Sequence, residues 1–129
     1  MKIIQMGRGE GKTHRALRWL MLGEPLAPNL PHTHNRLLVV STTTRVAEVV
    51  HELHLMLGRP QPPKGGDESS LMRDDFQRWS LAIAPIDRLT RWDRRLDSRI
   101  EIMIDDLDEV LFTLFGMPVA WATLTEEGR

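Results

Sequence analysis

Two short stretches of this chain carry residue types that act on phosphates. The first is GRGEGKTH, residues 7–14. The second is IMIDD, residues 102–106, an apolar run ending in Asp105 and Asp106. A phosphate chain needs several backbone N–H groups turned toward it, and glycine lets a chain curl tightly enough to supply them. Gly7, Arg8, Gly9, Glu10, Gly11, Lys12, Thr13 and His14 are therefore the candidate phosphate-binding residues. Lys12 would reach the β and γ phosphates as a point charge, and Thr13 would offer its hydroxyl to Mg²⁺. Gly11, Lys12 and Thr13 close the pattern G-x-x-x-x-G-K-S/T, whereas its opening position holds Met6 and the nearest glycine, Gly7, comes one residue late. Asp105 would hold the metal, directly or through water, and Asp106 would orient and deprotonate an attacking water. The bland alternatives are a glycine-rich turn before a helix and an acidic strand end running into a turn.

These residues need a scaffold of alternating strands and helices. KIIQM (2–6) reads as a strand and residues 12–22 as a helix with Ala16, Leu17 and Leu20 on one face. Residues 23–35 hold three prolines and read as loop. The continuous apolar run of 36–42 reads as a strand buried on both faces. Residues 44–58 carry Val46, Val49, Val50, Leu53 and Leu57 at helical spacing and stop at Gly58. After a breaker-rich loop at 59–70 come a short helix through Phe76 and Trp79, a strand at 80–84, a basic helix at 87–99, a strand at 100–105 and a fifth strand at 117–123. The expectation is an α/β fold: a three-layer sandwich around a mainly parallel five-stranded sheet, in one domain spanning 1–129.

Composition narrows the function classes. Hydrophobic residues at 41% and charged residues at 27% are ordinary for a soluble globular chain. The net charge of -1 gives no global pull toward nucleic acid or membrane, so such binding would need a local patch. The chain has no cysteine, which removes disulfides, thiol catalysis and cysteine-ligated zinc and fits a cytoplasmic setting. No apolar run approaches the roughly 18 residues of a membrane span, and no signal peptide is expected.

With its motifs in order, the chain resembles a P-loop NTPase of the additional-strand, RecA-like division. It looks most like the first core domain of DExD/H-box helicases and of phage terminase-type motors. GRGEGKT (7–13) resembles motif I, the Walker A loop, where an arginine often precedes the glycines. LLVVSTTTRVAEVV (37–50) looks like motif Ia, LAIAPIDRL (81–89) like motif Ib, IDDLDEVL (104–111) like motif II, the Walker B segment, and VAWAT (119–123) like motif III. The resemblance implies ATP or another NTP as ligand, Mg²⁺ as cofactor and hydrolysis as the reaction, with Lys12, Asp106 and Arg8 as catalytic residues. Asp106 stands where the family usually has glutamate, which is one methylene longer. The second domain of such motors, with its arginine finger, is expected from a homo-oligomer or a protein partner. The alternatives are a nucleotide-binding regulatory protein with little hydrolysis and a small-molecule kinase.

Other residues have two readings each. Arg88, Arg91, Arg94, Arg95 and Arg99 form a solvated face balanced by Asp87, Asp93 and Asp97, a nucleic-acid patch, or a source of an arginine finger in trans, with Arg91 and Arg95 best placed. Arg8 could reach the γ-phosphate in cis. His32, His34, His51 and His54 read as surface histidines, since none forms a zinc pattern. Trp19, Trp79, Trp92 and Trp121 read as core or interface anchors rather than base-stacking platforms.

Overall fold

The strand that organises the molecule is Arg36–Val40, β1, in which Leu37, Leu38, Val39 and Val40 are all buried. A run of apolar side chains on both faces suits a central strand covered from two sides. A computed structural model describes residues 11–27, 29, 33–58, 75–89 and 99–123. The other elements are α1 (Lys12–Met21), α2 (Thr43–Met56), α3 (helical over 75–81), β2 (Ile83–Pro85), α4 (Ile86–Leu89), β3 (Glu101–Ile104) and α5 (Leu107–Phe115).

The sheet runs β2-β1-β3, with both pairings parallel. Leu38 opposes Ile83 on one side and Met103 on the other. On one face Leu38 and Val40 pack with Ala16, Leu17 and Leu20 of α1 and with Val49 and Leu53 of α2, alongside Phe76 and Trp79. On the other face Leu37, Val39 and Ala84 pack with Ile86 and Leu89 of α4 and with Ile100. The side chains of β1 thus alternate between two cores, as the strand period requires. Pro85, which cannot donate to a ladder, sits in the strand at the β2 margin of this sheet, where its loss matters least.

The described residues account for part of the expected α/β sheet. Among the described residues it has three strands. Strand 2–6 lies outside the described residues, and 118–123 is irregular and exposed rather than a strand. Pro118 lacks an N–H for pairing, and Val119 and Trp121 find no core to face, Trp121 being 78% exposed. Trp121 is therefore no core anchor. The third strand begins at Ile83 rather than at 80, because α3 continues through residue 81. Of the basic helix expected at 87–99, α4 covers Ile86–Leu89, residues 90–98 lie outside the described residues, and 99 is a turn.

Glu101, which breaks the apolar pattern of β3, is exposed and has a partner. It opposes Arg36 in the register, with Arg36 Nε 3.6 Å from its Oε2. Arg36 also lies over the Trp19 ring, 4.8 Å from the centroid, and donates to the Trp19 carbonyl. No described helix is long and apolar enough to cross a membrane.

Candidate functional site

Parallel strands deliver their C-terminal ends to one edge of the sheet. The helix after β1, α2, packs on one face of the sheet, whereas α5, which follows β3, contacts α4 of the other face, so the turns leaving β1 and β3 part from each other. A crevice opens at such a switch point, outside the carboxyl ends of the strands. It lies beside the N-termini of α1, α2 and α5 and has a volume of about 1280 Å³. Gly11, Lys12, Thr13, His14, Arg45, Asp106 and Asp108 line it, and Glu48, Glu52 and Glu109 form an acidic rim.

The first wall is the start of α1. Gly11 caps it with φ +81°, a left-handed conformation that glycine adopts without a Cβ penalty. Its carbonyl accepts from Arg15 N at 2.9 Å, which fixes the first turn. Lys12 and Thr13 are then presented at the helix N-terminus, where the partial positive charge favours anions. No acidic side chain occupies that first turn to compete.

The second wall is the end of β3. Asp105 N donates to Val39 O at 2.9 Å, extending the ladder by one residue and seating Asp105 beside the centre of the sheet. Its carboxyl is buried. Burial raises its pKa above the usual carboxylate range, the Arg45 charge opposes the rise and neighbouring Asp106 adds to it. Asp106 turns the chain in the left-handed region, φ 63°, the single non-glycine residue with positive φ among those described. This turn starts α5, whose Val110 N donates to Asp106 O at 3.1 Å. Aspartate tolerates that conformation better than most residues.

The two walls meet through side chains. Lys12 Nζ lies 3.3 Å from Asp106 Oδ1, with both side chains about 30% exposed. Thr13 and Asp105 are joined through a third residue that the sequence did not single out. Arg45 Nη2 donates to Thr13 Oγ1 at 2.8 Å and stands 3.5 Å from Asp105 Oδ2. Its Nη1 donates to Glu48 Oε2 at 2.9 Å. Burial acts to lower the Arg45 pKa, but the Glu48 hydrogen bond and the charges of Asp105 and Glu48 hold it above its ordinary value.

Arg45 had a local signal. Thr42 caps α2, its hydroxyl accepting from Arg45 N at 3.1 Å, and α2 has no acidic residue in its first turn. A capping box would carry glutamate or glutamine at this third position, and a cation there opposes the helix dipole. An arginine so placed points to a carboxylate partner, and here there are two, Glu48 at 2.9 Å on the same helix and Asp105 at 3.5 Å.

His14 lines the crevice, with Nδ1 3.7 Å from Glu52 Oε1. Gly7, Arg8, Gly9 and Glu10 lie outside the described residues, as do Arg91, Arg94 and Arg95. Arg88 is exposed, and Arg99 is exposed and donates to Leu26 O at 3.2 Å. His34 is not a surface histidine. It is buried, with Nε2 2.6 Å from the Leu20 carbonyl, and burial lowers its pKa while that contact opposes the shift. His51 is exposed, and His54 packs on Phe76 with ring centroids 4.3 Å apart.

The donor chemistry at Thr13 and Asp105 fits Mg²⁺. A hydroxyl and a carboxylate are hard oxygen ligands, and both already point at one positive group, the Arg45 guanidinium. No group of three His, Cys, Asp or Glu residues able to hold a metal occurs among the described residues. A metal here would complete its shell with ligand phosphates and water, the usual habit of Mg²⁺. No protein-family model, curated protein or solved structure matches this chain.

Proposed function

We propose that this protein is a minimal P-loop domain that binds ATP or another NTP with Mg²⁺ and hydrolyses it. The observation that carries the reading is the meeting of Lys12 and Thr13, at one helix N-terminus, with Asp105 and Asp106, at the end of a parallel strand. A charged ligand at this crevice meets a lysine, a helix terminus and oxygen donors suited to a metal. No part of that set is adjacent in sequence to its counterpart.

The roles follow from the chemistry. Lys12 leaves Asp106 for the β and γ phosphates, which offer a fuller negative charge. Thr13 and Asp105 would hold Mg²⁺, which would supply charge neutralisation on the phosphates. Asp106, freed from Lys12, accepts a proton from the water that attacks the γ-phosphorus as the bond to the β-phosphate oxygen breaks. An arginine to complement the developing charge is expected from Arg8 in cis, or from Arg91 and Arg95 of a second copy acting on nucleic acid or with a protein partner.

A regulatory protein that binds nucleotide with little turnover is the second reading. Asp106 favours it, because the carboxylate is shorter than glutamate and is already tied to Lys12. Calorimetric titration with MgATP tests binding, and phosphate release separates the two readings. Absence of MgATP binding would remove both.

A further inference from the structure

The position of Arg45 has a consequence for how the site is filled. Its guanidinium touches the two oxygen donors that the nucleotide-site reading assigns to the metal, at 2.8 Å from Thr13 Oγ1 and 3.5 Å from Asp105 Oδ2. A magnesium ion binds its ligands at about 2.0–2.1 Å. It could not approach Thr13 and Asp105 that closely while an arginine nitrogen lies against both. Two positive charges so close would also repel strongly in a partly buried setting.

We propose that Arg45 is a built-in substitute for the divalent cation, a latch that holds Thr13 and Asp105 together in the nucleotide-free protein and withdraws when the metal binds. The inference rests on the nucleotide-site reading and adds its regulation. Asp105 is buried, and an unpaired buried carboxylate is costly, so its ionised form calls for a cation beside it. Arg45 answers it in the present arrangement. The withdrawn guanidinium has a ready partner in Glu48, on the next turn of the same helix, which it already contacts at 2.9 Å. Glu48 is exposed and lines the crevice mouth, so motion toward it leads outward. The location of Arg45 in the first turn of α2 fits this role, because the helix dipole disfavours a cation there and eases its departure.

The test is binding of Mn²⁺ alone to the full chain at pH 8, read by electron paramagnetic resonance, with folding followed by circular dichroism. Arg45→Met is expected to bind Mn²⁺ roughly tenfold or more tightly than wild type, the loss of a charge-assisted contact that competes with the metal. Adding Asp105→Asn to Arg45→Met should abolish the gain. Arg45→Lys, which keeps a positive charge to compete with the metal but loses the second nitrogen that Arg45 ties to Glu48, should give a smaller gain, and it carries the comparison if Arg45→Met does not fold. Mn²⁺ affinity in both variants equal to or below that of wild type overturns the latch. If Lys12→Ala still weakens MgATP binding in that case, the nucleotide-site reading survives. If wild type binds no MgATP, that reading falls and the latch falls with it.

Discussion

Lys12 Nζ stands 3.3 Å from Asp106 Oδ1, although 94 positions separate the two residues. The first belongs to a helix start, the second to the turn after a strand, and the sheet order sets them face to face. Both are partly exposed, so the pair contributes only about 0–1 kcal/mol to stability. On the proposed nucleotide-site reading, its value lies in parking an ammonium where a phosphate can claim it.

Lys12→Ala should therefore separate binding from folding. Loss of a charge-assisted phosphate contact of about 1.5–3 kcal/mol should weaken MgATP binding by roughly tenfold or more. The urea midpoint should hardly move. Calorimetry on both proteins checks the first, and equal affinities would sink the nucleotide reading.

Asp106 sits at φ 63°, and the substitutions there should divide by backbone tolerance. Asparagine accepts the left-handed region, so Asp106→Asn should keep stability within about 1 kcal/mol and keep nucleotide binding. Removal of the proposed general base should cut phosphate release by roughly 10²–10⁴-fold. Asp106→Ala, whose side chain favours that region less, should lose more stability than Asp106→Asn. Hydrolysis by Asp106→Asn at the wild-type rate would mean that another group takes the proton.

Asp105 gives a pH signature. Burial raises its folded-state pKa, so between the ordinary carboxylate value and the raised one the folded chain keeps a proton that the unfolded chain has lost. Stability from this group falls as pH rises through that window and stays at its lower level above it. Wild type should gain stability relative to Asp105→Asn as pH is lowered into the window, as read from paired urea titrations. A difference independent of pH would show that the carboxyl is not perturbed.

Gly23 should resist substitution for a steric reason. A Cβ there would lie 2.6 Å from His34 Cε1 and 2.7 Å from Asn35 Oδ1. The ring is buried and held to the Leu20 carbonyl, so it has little room to yield. Gly23→Ala should cost about 1–3 kcal/mol, and less in a His34→Ala background, a coupling that a double-mutant cycle measures.

The sequence made the central strand readable because RLLVV is apolar on both faces, which few other structures tolerate. Helices α1 and α2 were readable from their spacing, and the Lys12–Thr13 and Asp105–Asp106 groups from residue type. Helix α5 was missed although Leu107, Val110, Leu111 and Leu114 have helical spacing and Gly116 stops it in the left-handed region. The acidic pair drew attention to the end of β3 instead. Residues 117–123 look like a strand by composition, but a strand needs a neighbour to pair with, and composition does not reveal one. His34 misled in the same way: a proline-rich neighbourhood suggests the surface, while burial is decided by Gly23, 11 positions earlier, leaving space for the ring. Arg45 is the plainest case, since its partners Thr13 and Asp105 come from two other elements.

The separation of 94 positions between Lys12 and Asp106 also fixes when the site can exist during synthesis. A ribosome adds roughly 5–20 residues per second, so the lysine would wait about 5–20 s for its aspartate, and longer while Asp106 clears the exit tunnel. Until then the nascent chain presents a glycine-led helix start and a cation with no carboxylate from β3 opposite them. The crevice is thus a late product of translation, and contact between Lys12 and Asp106 reports that β3 has joined the sheet.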